Sequence, residues 1–326
     1  MEDKPADLPG VPATAVSRPT CGNGEVLTNM AHQRGIVRIA ALADLHFGRM
    51  AEPLLHQTLI QASHECEVMV LCGDLTDHGL PEEAHGLARE LRQTVGVPVI
   101  AVLGNHDFEA GRPAEVCEIL AESGVTMLDG QSCEVAGVGF AGVKGFAGGF
   151  GKRALGPWGE DIIKQFVHEA VGEALKLESA LARLRRKPRI AVLHYSPIQA
   201  TVEGEPREIF PFLGSSRLEE PLARYPVDAV FHGHAHRGQP EGRTAAGVPV
   251  YNVSFSLLHQ AFPGRPPFRV IEVAARSAGD GGSLEGAPGR GVAAGSEPAD
   301  PGDGSHRRDI DGAAGFKATG AASRPS

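Results

Sequence analysis

Along this chain, short apolar runs stop again and again at clusters of Asp, His and Asn. "IVRIAALAD" (36–44) is rich in Ile, Val and Ala and predicts a strand ending at Asp44. "PLLHQTLIQASHEC" (53–66) follows with Leu55, Leu59 and Ile60 at helical spacing. "VMVLCGD" (68–74) predicts a second buried strand, ending at Asp74. "PEEAHGLARELRQTV" (81–95) opens with Pro and two Glu, a helix-start signal. "PVIAVLGNHD" (98–107) predicts a third strand running into a polar loop, with a helix near 113–123. This β-α-β-α-β order implies a parallel sheet with right-handed crossovers.

The pattern then changes. "VTMLDG", "SCEVAG" and "VGFAGVKG" are short runs between Gly turns and predict an antiparallel stretch. A long helix is expected over about 160–186, followed by a strand in "RIAVLH" (189–194). "SSRLEEPLARY" (215–225) predicts a helix capped by Ser215 or Ser216. "DAVFHGH" predicts a strand that enters a histidine-rich loop, and "VPVYNVS" and "FRVIEVA" predict two closing antiparallel strands.

The strand ends carry the chemistry. They read "ADLHFG", "GDLTDHG", "GNHDFE", "LHYSP" and "HGHAH". In open α/β sheets the functional crevice lies beyond the carboxyl ends of the strands. Five strands therefore deliver Asp, His and Asn to one edge, a set of hard and borderline metal donors without thiolate. Each fragment alone has a plain reading, since an Asp after a strand often caps a helix or forms a turn. The ordered set does not.

Composition narrows the picture. The 326 residues carry a formal net charge of −9, which argues against a nucleic-acid partner. The basic run "RLRRKPR" (183–189) reads as charge at a helix C-terminus. Residues 1–34 and the Gly/Ser/Pro-rich residues 277–326 are expected to be disordered tails around one domain at 35–276. No signal peptide or membrane helix is legible. The five cysteines show no CxxC spacing, so reduced thiols and a cytoplasmic location are expected. "GFGKRA" lacks the G-x-x-x-x-G-K-[ST] spacing of a nucleotide loop.

The series "DLH", "GDLTD", "GNHD", a single His and "GHAH" resembles the calcineurin-like metallophosphoesterase superfamily, over about Val37 to Val273. "GDLTDHGLPEE" and "VLGNHDFEAG" look most similar to its bacterial phosphodiesterase-like branch. The resemblance implies an α/β fold, a four-layer α/β/β/α sandwich of two mixed sheets. It implies two divalent ions, with Asp44, His46 and His236 on the first, Asn105, His194 and His234 on the second, and Asp74 bridging. His106 would face the leaving oxygen, with Asp77 or Asp107 holding its tautomer. His232 matches no ligand position and reads as a packed neighbour.

A bridged pair of ions would supply hydroxide at neutral pH for in-line attack on a phosphodiester or phosphomonoester. The donor mixture suits Mn, Fe or Zn. The expected partner is a small-molecule phosphoester. A phosphoprotein phosphatase or a nuclease is the nearest alternative, and a non-catalytic scaffold is the alternative of another class. Arg237 and Arg49 are candidate substrate contacts, and the segments 144–159 and 196–216 candidate rims of the site. Oligomeric state is not legible.

Overall fold

Strand burial in this protein alternates between two apolar layers, and that alternation places the sheets. The computed structural model describes residues 35–50, 52–185 and 187–275; the two expected tails lie outside the described residues. In β1 (Ile36–Leu42), Ala40 and Leu42 face one core while Val37, Ile39 and Ala41 face another. β2 (Val68–Cys72) and β3 (Val99–Val102) are buried on both faces, as strands of a covered parallel sheet must be.

The first sheet has the order β11-β1-β2-β3-β4, with β4 at Val125–Met127 and β11 at Arg269–Ala274. Its outer face packs on α1 (Glu52–Glu65), α2 (Pro81–Thr94) and α3 (Pro113–Glu122) through Leu55, Leu59, Leu87, Leu91, Val116 and Leu120. The second sheet runs β5-β6-β7-β8-β10-β9. Its strands are β5 (Gln131–Val135), β6 (Val138–Gly142), β7 (Arg189–Val192), β8 (Ala229–His232), β9 (Glu241–Arg243) and β10 (Pro249–Asn252). α4 (Asp161–Arg183) and α6 (Glu219–Arg224) cover its outer face, with α5 (Phe210–Leu213) in the connection between them and α7 (Phe255–Ala261) after β10. Between the sheets lie Ile39, Val70, Ile100, Phe140, Ile190 and Phe231. The result is the expected four-layer sandwich of two mixed sheets.

Two sequence expectations are corrected. β4 is not part of an antiparallel stretch: it follows helix α3 and joins β3 in parallel, as a crossover connection requires. Only β5 and β6 form the antiparallel hairpin. β10 pairs in parallel with β8 and antiparallel with β9, a three-residue strand too short and polar to be legible. β11 is antiparallel to β1 as expected. The helices α5 and α7 were not expected, because their few residues span barely one or two turns and show no readable period.

Register brings the working ends level. Leu42 lies opposite Leu71, Cys72 opposite Val102, and Val192 opposite Phe231. The two sheets are tied beside these ends, where Ala43 N–H donates to Val253 and Phe255 N–H donates to Ala43. Phe140 fills the layer between the sheets without exposure. Phe140→Ala is expected to cost about 3–5 kcal/mol of stability. A urea-unfolding midpoint that stays at the wild-type value would contradict the placement of this core.

Candidate metal centre

Four of the chain's described strand-end residues adopt a backbone conformation that side chains normally avoid. Asp44, His46, Asp74 and His234 have φ of 58°, 41°, 49° and 70°. Among the described residues only one other non-glycine, Ala136, has positive φ. Such residues cost of order 1–3 kcal/mol each and persist where the surroundings over-determine them. Here the left-handed residues turn the chain within a few residues of each strand end. Neighbouring backbone must come close, and Gly104 permits it: a Cβ there would lie 2.2 Å from the Asp74 N and Oδ1 atoms.

These turns gather the ligand residues into two clusters about one carboxylate. In the first, ligand atoms of Asp44, His46 and His236 lie within 4.8 Å of one another, with His236 Nε2 3.1 Å from Asp44 Oδ1. In the second, Asp74, His194 and His234 do the same, and Asn105 Oδ1 sits 2.9 Å from His194 Nε2. Asp74 lies between them. Its Oδ1 is 3.3 Å from His194 Nε2, and its Oδ2 is 3.9 Å from His46 Nε2. The seven residues expected as ligands are thus all brought together.

The hydrogen bonds leave one ring nitrogen of each second-cluster histidine facing inward. His194 Nδ1 donates to the Cys72 carbonyl at 2.9 Å, which turns Nε2 inward. His234 Nε2 donates to the Phe212 carbonyl at 3.1 Å, which leaves Nδ1 for the centre. Fixing one nitrogen on a backbone carbonyl sets tautomer and ring angle for ligation by the other. In the first cluster, both ring nitrogens of buried His46 and the Oδ1 of Asp77 complete no hydrogen bond among the described residues. His46 Nδ1 stands 3.2 Å from that Oδ1, while Nε2 has only the distant Asp74. A buried ring nitrogen without a hydrogen-bond partner is characteristic of a metal ligand, so the donor set fits a divalent cation on chemical grounds.

Electrostatics agree with that reading. Burial pushes the Asp44 carboxyl up, but the hydrogen bond and charge of His236, with His194 and His46 beyond, hold it well below the usual range. Burial and then the neighbouring His194 charge lower His234 to about 3, and burial lowers His46, so both rings are neutral and able to ligate.

Other residues fall into different places from those expected. Asp107 does not face the His106 ring. Its fully buried carboxylate accepts from the Leu75, Thr76 and Gly104 amides and the Thr76 hydroxyl, tying the loop after β2 to the loop after β3. Burial, then the Asp74 charge, raises it to about 6. The Asp77 carboxylate lies against His46 and His78 rather than His106. It is the Asp77 carbonyl that accepts from His106 Nδ1, at 2.8 Å, with the Glu109 carboxylate 2.9 Å away. Glu109 went unassigned, although "GNHDFE" places it three residues past His106, one turn of the observed 3₁₀ segment. Arg49 is 71% exposed, with its guanidinium 4.0 Å from Asp77, and the Arg237 side chain is exposed. His232 is fully buried: Nδ1 donates to the Gly233 carbonyl, Nε2 accepts from the Thr201 hydroxyl, and burial lowers it to about 4. It is a packed neutral histidine, as expected.

The model of the calcineurin-like phosphoesterase family matches residues 37–238. No curated protein matches the chain. Among solved structures, the phosphopantetheinyl hydrolase PptH of Mycobacterium tuberculosis is similar at a TM-score of 0.55 with 17% identity. The match covers 78% of this chain and 100% of that one. TT1561 of Thermus thermophilus gives a TM-score of 0.46 with 14% identity, covering 74% of this chain and 100% of that one. The family match spans β1 to the last histidine of "HGHAH" and so contains every residue of both clusters. The chain belongs to the calcineurin-like phosphoesterase family and is a metal-dependent phosphoester hydrolase.

Proposed function

We propose that this chain hydrolyses a small-molecule phosphodiester or phosphomonoester at a centre of two divalent ions, Mn, Fe or Zn. The observation that carries this reading is Asp74, whose two carboxylate oxygens face two separate clusters of nitrogen and oxygen donors. Asp44, His46 and His236 would hold one ion, and Asn105, His194 and His234 the other. Bound there, the ions supply an activated water at neutral pH and neutralise charge on the phosphoryl oxygens.

The chain's own groups do the rest. The His106 amide donates to Asp74 Oδ1 at 2.8 Å, so the residue after Asn105 is locked to the shared carboxylate. The ring lies edge-on to His46 with centroids 4.5 Å apart, at the border of the first cluster. With Nδ1–H given to the Asp77 carbonyl and Glu109, Nε2 is the nitrogen that delivers a proton to the leaving oxygen. The Asp77 carboxylate, 3.2 Å from His46 Nδ1, is placed to orient that ring once Nε2 takes a cation.

Loading this centre displaces a proton. Burial pulls His194 down, but the charge and hydrogen bond of Asp74, with Asp44 beyond, outweigh it and raise it to about 9 in the metal-free chain. A protonated imidazole does not ligate, so metal affinity must rise with pH until this proton is gone.

Three outcomes follow. Asp74→Asn is expected to lower kcat/KM for bis-p-nitrophenyl phosphate with Mn by more than about 100-fold, beyond the loss typical of an outer partner. Unchanged activity would refute the shared carboxylate. His106→Ala should slow esters of a poor alkoxide leaving group by about 10²–10⁴-fold and p-nitrophenyl esters far less, since p-nitrophenolate leaves without a proton. Equal losses on both would remove His106 from proton delivery. Zn uptake by stripped protein, followed by calorimetry in several buffers, should release protons and tighten from pH 6 towards pH 9. A pH-independent affinity would contradict the His194 assignment.

A further inference from the structure

The two rim segments, whose side chains the catalytic reading does not use, are stitched into one wall. Gly148 N–H donates to Pro211, Gly149 N–H to Gly214, and Ser216 N–H back to Gly149. Gly151 N–H donates to the Ser216 hydroxyl, and Arg217 reaches the Leu155 carbonyl. Between the segments opens a cavity of about 540 Å³, lined by Phe150, Lys152, Arg153, Gln199, Arg207 and Phe210 among others. None of the ligand residues lines it, and its link to the second cluster runs through the chain. Its wall residue Pro211 directly precedes Phe212, whose carbonyl orients His234.

The charge of this cavity runs against the chain. The protein carries a net charge of −9, yet three cationic side chains line the cavity and no acidic one does. Glu203 accepts from the lining Gln199 side chain and Glu205 from the Arg237 amide, and neither pairs with these cations. Lys152, Arg153 and Arg207 have no ion-pair partner among the described residues. All three are exposed, so solvent screens their mutual repulsion, but like charges lining one cavity without counter-ions still gain when an anion enters. Arginine forks match the oxygen geometry of a phosphate. The Gly149 and Gly151 amides are already bonded within the wall, so recognition falls to the side chains.

We propose that this cavity is a specificity subsite for a second phosphate of the substrate, so that the preferred substrates are phosphoesters bearing a further phosphate beyond the one cleaved. The inference rests on the phosphoesterase reading for its kinetic arm only.

Two measurements test it. In the first, phosphate release from adenosine 3′,5′-bisphosphate and from adenosine 5′-monophosphate is compared in the wild type and in a Lys152→Glu/Arg153→Glu/Arg207→Glu variant. The ratio of the two kcat/KM values should fall at least about tenfold, through KM. An unchanged ratio overturns the subsite. In the second, inorganic pyrophosphate is titrated into EDTA-stripped protein by calorimetry in metal-free buffer. Binding should weaken with added salt and vanish in the triple variant. Absence of binding to the folded wild type, or undiminished binding to a variant with wild-type circular dichroism, overturns it. If neither adenosine substrate is hydrolysed by the metal-loaded wild type, the phosphomonoester reading fails while the pyrophosphate titration still decides the subsite.

Discussion

Two carboxylates, Asp44 and Asp74, are buried at the seam where the ends of two sheets meet, and both stay charged there. Ionised groups out of water are strongly destabilising unless paired. The pairing comes from imidazoles at the ends of β1, β7 and β8, so the site and the meeting of the sheets are one construction. His194 reaches from the second sheet to the Cys72 carbonyl of the first, and the His234 amide donates to both oxygens of Asp44. The same contacts that compensate the charge also lock one sheet to the other.

That compensation explains where backbone strain is found. Four ligand residues adopt left-handed φ because an extended chain would carry their side chains past the seam. The turns are held by neighbours with little freedom. Asp107 satisfies four donors of two loops at once, and a Cβ at Gly233 would meet Ala43 at 2.5 Å and Asp44 at 2.6 Å. Stable layers of Phe140, Phe231, Leu59 and Leu87 behind the strands carry this strain.

Much of this was legible from where apolar runs stop. Asp44, Asp74, Asn105, His194 and His234 all follow short Val/Ile/Leu runs, and the runs place them on one edge. What was not legible lay mostly in the backbone. The carbonyls of Cys72, Asp77 and Phe212 aim three histidines, and a carbonyl has no residue-type signature. Asp107 was misread because an Asp beside a catalytic His looks the same in sequence whether it faces that ring or a set of amides. β4 was misassigned and the parallel pairing of β10 with β8 missed, because three or four residues carry too little periodicity to distinguish parallel from antiparallel pairing. The rim segments read as two separate loops, since the bonds joining Gly149 to Gly214 and Ser216 span more than sixty residues of sequence.

The central claim is that one carboxylate organises two cation sites across the sheet seam. Anomalous diffraction from crystals grown with Mn tests it most directly. Two peaks are predicted, one among Asp44, His46 and His236 and one among Asn105, His194 and His234, with Asp74 contacting both. A single peak, or two peaks with Asp74 touching only one, would contradict the account.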